Sequence, residues 1–301
     1  MRGVTATTPD RVSPGERGEL WRALVALSKP GITRFVSITT ALGALTAPTP
    51  VTWGRFVPLI VGTALVVAGA NALNMFLERD SDALMTRTRG RPLPEGRISP
   101  DEALAFGVGI ALAGLVCLAH FTTILAFGLA ALSLLLYVLV YTPLKRVGPV
   151  ALYVGAVPGA LPPVIGYAGN QGELDARALS LFLILFVWQL PHFITITLFR
   201  EEEYARAGLR VLPVVRGRAH ASRLLVAFSA LFVAVSLLPV WLNGAGLTYA
   251  IVAGLTSAAF LCATARGLRG DFDDRTARKL FFFSMPELVI VMAALMITLI
   301  F

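Results

Sequence analysis

The chain reads as long apolar runs separated by short polar ones. Runs near 32–48, 55–77, 102–119, 121–141, 150–168, 179–199, 223–242, 247–265 and 281–300 each approach the ~20 residues with which an α-helix crosses a bilayer. The pattern predicts an all-α fold, a polytopic bundle of about nine transmembrane helices. Two places weaken the count. The first run holds only about 16 residues before Pro48, and the third and fourth are parted only by the polar pause around His120, so eight is the alternative.

Composition supports lipid as the main solvent. The 301 residues are 56% hydrophobic and 15% charged, against roughly 25% charged in soluble domains. Charge then tests the division into spans. Of the 26 Lys and Arg residues, all but Arg55 and Arg177 fall in the segment through Arg34 or after the second, fourth, sixth and eighth runs. Basic residues collect on the cytoplasmic side, so the expected arrangement is N-terminus cytoplasmic and C-terminus outside, in a bacterial inner membrane. That arrangement needs an odd number of spans and favours nine. It also accounts for the net charge of +8 without a nucleic-acid partner, leaving membrane lipid headgroups as the natural contact. Residues 1–28 are expected as a cytoplasmic tail without the apolar core of a signal peptide, and residues 29–301 as the transmembrane domain. Cys117 and Cys262 stand alone in apolar runs and indicate packing, not a disulfide or a thiolate metal site.

Candidate chemistry lies at the basic side. Asn74, Glu78 and Asp82 recur at i, i+4 and i+8, which places amide and carboxylate oxygens on one helix face at the end of the second run. Such hard oxygens suit Mg²⁺, particularly when phosphate completes the coordination. A solvated helix end neutralised by arginines is the plainer alternative. Beyond it, Arg87, Arg89, Arg91 and Arg97 are interleaved with Gly90, Pro92, Pro94 and Gly96, and guanidinium groups match phosphate oxygens two at a time. Acids for a metal beside arginines for phosphate point to a lipid diphosphate.

A second cluster follows the sixth run: Trp188, Gln189, Pro191 and His192, then Arg200, Glu201, Glu202, Glu203 and Tyr204, then Leu212-Pro213-Val214. Polar side chains deep in an apolar segment are costly unless they line a cavity or bond between helices, and both readings stand for His192. Tyr141-Thr142-Pro143-Leu144-Lys145-Arg146 closes the fourth run, where the two basic residues either meet phosphate or anchor the helix end. Pro158, Pro162 and Pro163 predict a broken fifth helix facing protein or cavity. Asp271, Asp273 and Asp274 lack ligand spacing and read as solvated.

Taken together, the Asn74–Met85 stretch with Arg87-Thr88-Arg89-Gly90-Arg91-Pro92-Leu93, the Tyr141–Arg146 segment and the Trp188–Phe193 tract resemble the UbiA superfamily of intramembrane prenyltransferases, over the chain from about Lys29 to the last run. The Trp188–Phe193 tract resembles the branch whose acceptor is haem. Glu78 stands where the superfamily usually has aspartate, and Glu203 beside Tyr204 is similar to its second acidic site. The resemblance implies catalytic metal ligation of Mg²⁺ by Asn74, Glu78, Asp82 and Glu203. It implies farnesyl diphosphate and haem B as substrates, bound by Arg87, Arg91, Lys145, Arg146, His192, Arg200 and Tyr204. It further implies partners among enzymes of haem A synthesis or terminal oxidases. The nearest alternative is a member of the same superfamily acting on an aromatic acid; a transporter fits less well, because the acids and arginines gather at one interface and not at the midplane.

Overall fold

In a computed structural model the protein is described over residues 14–268 and 272–300, and every regular element among them is helical. In chain order these are α1 (Pro14–Leu27), α2 (Pro30–Leu45), α3 (Trp53–Ala83), α4 (Pro100–Phe121), α5 (Ile124–Leu135), which runs through a π-helical turn (Leu136–Tyr141) into α6 (Thr142–Leu144), then α7 (Ala151–Gln171), α8 (Ala176–Phe199), α9 (Glu201–Arg206), α10 (Leu212–Arg216), α11 (Arg218–Leu242), α12 (Leu247–Gly267) and α13 (Asp274–Ile300). Asp271 lies outside the described residues.

Eight helical stretches are long and apolar enough to cross a membrane, with Ile124–Leu144 counting as one. The difference from nine lies in α2. Its 16 residues rise only about 24 Å, short of the ~30 Å hydrocarbon core. Yet α2 joins both ends of the bundle. Lys29, at its start, donates to Asn74 at the foot of α3, while the Thr46 carbonyl after its end accepts from Arg177 and Thr49 donates to Gln171. Residues 14–27 of the expected tail form a helix, α1, which packs Ala23 and Leu27 against Met75, Leu93, Ile98 and Ala103.

Close backbone approach seats α2 on α7. A Cβ at Gly43 would lie 1.9 Å from the Pro163 carbonyl oxygen, and one at Gly166 would lie 1.9 Å from that of Thr40. Neither carbonyl can swing aside like a side chain. Gly43→Ala is therefore expected to destabilise the bundle by at least the roughly 1–3 kcal/mol typical of an overpacked core, read as a lowered melting temperature in detergent.

The proline-rich α7 is unbroken, contrary to the expected interruption, and it is the most buried of the membrane-length helices. The reason is local repair. Pro162 lacks the N–H that would bond the Pro158 carbonyl, and the Ser133 hydroxyl of α5 donates to that oxygen instead at 3.2 Å.

Helix length positions the site. The 31 residues of α3 rise about 46 Å, well beyond the apolar layer, so its final turns emerge with Asn74, Glu78 and Asp82. After the turns of residues 84–98, Ser99 caps α4 in a reciprocal box with Glu102 and returns the chain to the bilayer.

Candidate active site

The ends of α2, α3, the α5–α6 stretch and α8, together with residues 204–212, surround a cavity of about 270 Å³. Asn74, Glu78 and Asp82 form one wall, each held by a cation from another element. Lys29 donates to Asn74 Oδ1 at 2.8 Å, Lys145 donates to Glu78 Oε1 at 2.8 Å, and Arg91 pairs with Asp82 Oδ2. The carboxylates are buried, so these cations offset a desolvation penalty that bare acids could not bear. Asn74 is fixed from its other end: its amide donates to Thr142 Oγ1, and that hydroxyl donates to the Tyr137 carbonyl in the π-helical turn. The same turn sets Tyr137 and Tyr141 against the cavity with ring centroids 5.4 Å apart, and the Lys145 ammonium lies 4.5 Å from the Tyr141 ring. Turns of this kind often occur at functional sites because they re-aim side chains.

The two lysines are driven in opposite directions. Burial, reinforced by the nearby Arg91 guanidinium, holds the Lys29 ammonium down to about 7. For Lys145 burial also opposes the charge, but Tyr141 and the Glu78 carboxylate outweigh it and hold the group above the usual lysine range. Lys29 is thus a cation short of negative charge. It occupies a left-handed conformation with φ 43°, costly for a residue with a side chain, at the break between α1 and α2.

The structure brings Asn74, Glu78, Asp82, Arg87, Arg91, Lys145 and Tyr204 to the cavity. Arg146, Arg200, Glu203 and His192 are not on its lining. Arg200 pairs with Glu203 at 2.6 Å within one helical turn. His192 is stacked between Trp188 and Phe281, each with its centroid 4.6 Å away, and bonds Ser284 on α13. Lys29, Tyr137, Tyr141 and Arg210 line the cavity although the sequence did not single them out for it. The signal for Lys29 was a lone cation just before Pro30, where an apolar run starts; for the tyrosines it was their i, i+4 spacing ahead of Lys145.

A divalent cation fits this wall as a partial site. Among the described residues no group of three or more His, Cys, Asp or Glu side chains is gathered closely enough to form an all-protein cage. Mg²⁺, however, commonly takes one or two carboxylates and draws its other ligands from water and phosphate. Asp82 Oδ1 is buried without a hydrogen-bond partner, an unused hard donor beside the cavity. Glu78 and Asn74 supply oxygens one and two turns further along the same face.

Several known proteins resemble this chain along most of its length. The profile of the UbiA prenyltransferase family matches residues 35–285. A protoheme IX farnesyltransferase of Sorangium cellulosum is 49% identical over 238 residues, covering 79% of this chain and 85% of that protein. One from Anaeromyxobacter dehalogenans is 41% identical over 298 residues, covering 98% and 99%. The solved structure of a UbiA homolog from Archaeoglobus fulgidus bound to DMAPP and Mg²⁺ superposes with a TM-score of 0.64 at 17% identity, covering 91% of this chain and 99% of that one. At that identity it speaks for the fold alone.

Proposed function

The chain belongs to the UbiA prenyltransferase family, and we propose on that premise that it transfers a farnesyl group from farnesyl diphosphate to a vinyl group of haem B with addition of water, giving haem O and diphosphate. The observation that carries the reaction class is the cavity wall itself: a face of oxygen donors opposed by Lys29, Arg87, Arg91 and Lys145. The acceptor rests on the likeness to protoheme IX farnesyltransferases at 41% identity over nearly the whole chain.

The residues divide the work. Asn74, Glu78 and Asp82 would hold Mg²⁺ against the diphosphate, where it supplies Lewis-acid stabilisation of the leaving oxygens. Glu203, paired with Arg200 and off the cavity lining, is placed to join only if the α9 turn shifts. Lys29, Arg87, Arg91 and Lys145 stabilise charge that grows on the diphosphate as the allylic C–O bond breaks, and fixed cations in a poorly solvated site do this without reorganising. Tyr137 and Tyr141 line the cavity and would put aromatic rings beside the cationic allylic carbon. The apolar lining of Ile32, Leu152, Phe193 and Ile194 keeps bulk water from that carbon. The haem vinyl group attacks it, water adds to the resulting cation, and the hydroxyl proton is released. A direct test is diphosphate release from farnesyl diphosphate and Mg²⁺: it should depend on added haem B and not on 4-hydroxybenzoate. Release stimulated by 4-hydroxybenzoate alone would reassign the acceptor.

The protein is a multi-pass inner-membrane enzyme. The site end, which carries nearly all the basic residues, is placed in the cytoplasm by the positive-inside rule, with the C-terminus outside. There it would meet anionic lipid headgroups and partners that consume haem O. Single cysteines at exposed Glu95 and Glu202 should react with a membrane-impermeant thiol reagent only after the cells are opened, and cysteines at Thr52 and Glu173 should react in intact cells. Labelling of Glu95 and Glu202 positions in intact cells would invert the topology.

A further inference from the structure

The circumference of α1 divides into three flanks. Leu20, Ala23, Leu24 and Leu27 recur at helical spacing and join one apolar cluster with Met75 of α3, Leu93 and Ile98 of the arginine-bearing turns, and Ala103 of α4. Trp21 and Val25, 66% and 39% exposed, lie side by side about a third of a turn round the helix from that stripe. Arg22 and Glu19, both exposed, occupy the remaining third. Protein, an apolar face and charges thus share the helix. Its height along the bundle follows from its partners: Met75 lies where α3 leaves the apolar layer, Ala103 stands in the first turn of α4, and just past the end of α1 the chain enters α2 at Pro30. The tryptophans mark the same boundary. Trp188 is buried, Trp53 at the start of α3 and Trp241 near the end of α11 are exposed at the far end of the bundle, and Trp21 is their counterpart at the site end. Tryptophan gathers at both membrane–water boundaries because its ring is apolar and its N–H polar.

From this geometry we infer that α1 lies along the lipid headgroup layer at the site end, its Trp21–Val25 flank turned into the acyl boundary, and that this seat holds Lys29 and the arginine-bearing turns in register with the diphosphate of a substrate anchored in the same leaflet. The inference rests on a lipid diphosphate as substrate and on no particular acceptor. A helix with an apolar flank and a charged one settles about 5–10 Å into that boundary, with the charges left to water. The basic excess at this end of the bundle favours the same neighbour, since bilayer surfaces carry anionic headgroups. The link from seat to site is short. The inner stripe of α1 grips Leu93, two residues past the Arg91 that pairs with Asp82, and the helix runs through Ser28 into Lys29, which bonds Asn74.

The test uses the full chain, with Cys117 and Cys262 replaced by serine, in nanodiscs of phosphatidylethanolamine and phosphatidylglycerol, spin-labelled after Val25→Cys or Arg22→Cys. Oxygen, which concentrates in lipid, should broaden the label at position 25 more than a water-soluble nickel chelate does, and the order should reverse at position 22. Chelate-dominated broadening at both positions would lift α1 off the bilayer. Protection of position 25 from both agents would put a protein or a second copy of the chain on the flank, and either result overturns the inference. The link to the site is read by calorimetry of farnesyl diphosphate with Mg²⁺ against empty nanodiscs. Trp21→Glu drives a charge into the acyl boundary and should weaken binding about tenfold, the scale of one misplaced charge-assisted hydrogen bond, while the melting temperature stays near that of the wild type. Trp21→Phe should bind as the wild type does. Equal binding by Trp21→Glu and wild type would overturn the link, whereas a wild type that binds no farnesyl diphosphate would remove the substrate reading on which it rests.

Discussion

Asp82→Asn is expected to lower turnover by about 10²-fold or more at saturating Mg²⁺, the scale of one lost electrostatic contact to a transition state. The change keeps shape and removes charge, and it strips the carboxylate whose Oδ1 is buried without a partner. Glu78→Gln should fall by a similar factor. It carries a second effect, because the half-buried Lys145, which donates to Glu78 at 2.8 Å, then loses its counter-charge. Melting curves for both variants separate loss of fold from loss of chemistry. Activity within twofold of wild type in both would show that these acids merely neutralise the neighbouring cations.

Lys29→Met should reduce kcat/KM for farnesyl diphosphate by about 10–100-fold, as expected from removing a charge-assisted hydrogen bond worth roughly 1.5–3 kcal/mol. Burial and Arg91 already make its ammonium reluctant to stay charged, and a bound diphosphate would relieve that reluctance. The methionine fills the same volume without the charge, so the fold should persist. An unchanged kcat/KM would reduce Lys29 to a hydrogen-bond partner of Asn74.

Periodicity and charge made most of the membrane-length helices legible, since a lipid-facing helix must be apolar along its whole length. They were less able to place α2, because length limits which helices can cross alone while packing decides which ones do; Gly43 and Gly166 let α2 lie on α7 in a way no hydropathy window contains. The prolines of α7 misled for a related reason. Sequence shows the missing N–H of Pro162 but not the Ser133 hydroxyl that replaces it. In the site, Asn74, Glu78 and Asp82 were legible because one helix carries all three. Lys29 reaches Asn74 across 45 residues and Tyr137 enters through a π-helical turn, so neither could be found by local spacing. His192 was readable as a costly polar residue, but its partner Ser284 lies 92 residues away.

Prenyl transfer to haem is read out by the mass of the product. Purified protein with farnesyl diphosphate, haem B and Mg²⁺ should convert haem B to a species enlarged by one farnesyl group and one water, without free farnesol as the main product. Unmodified haem in that mixture, together with a prenylated aromatic acid when 4-hydroxybenzoate is supplied, would show that haem is not the acceptor.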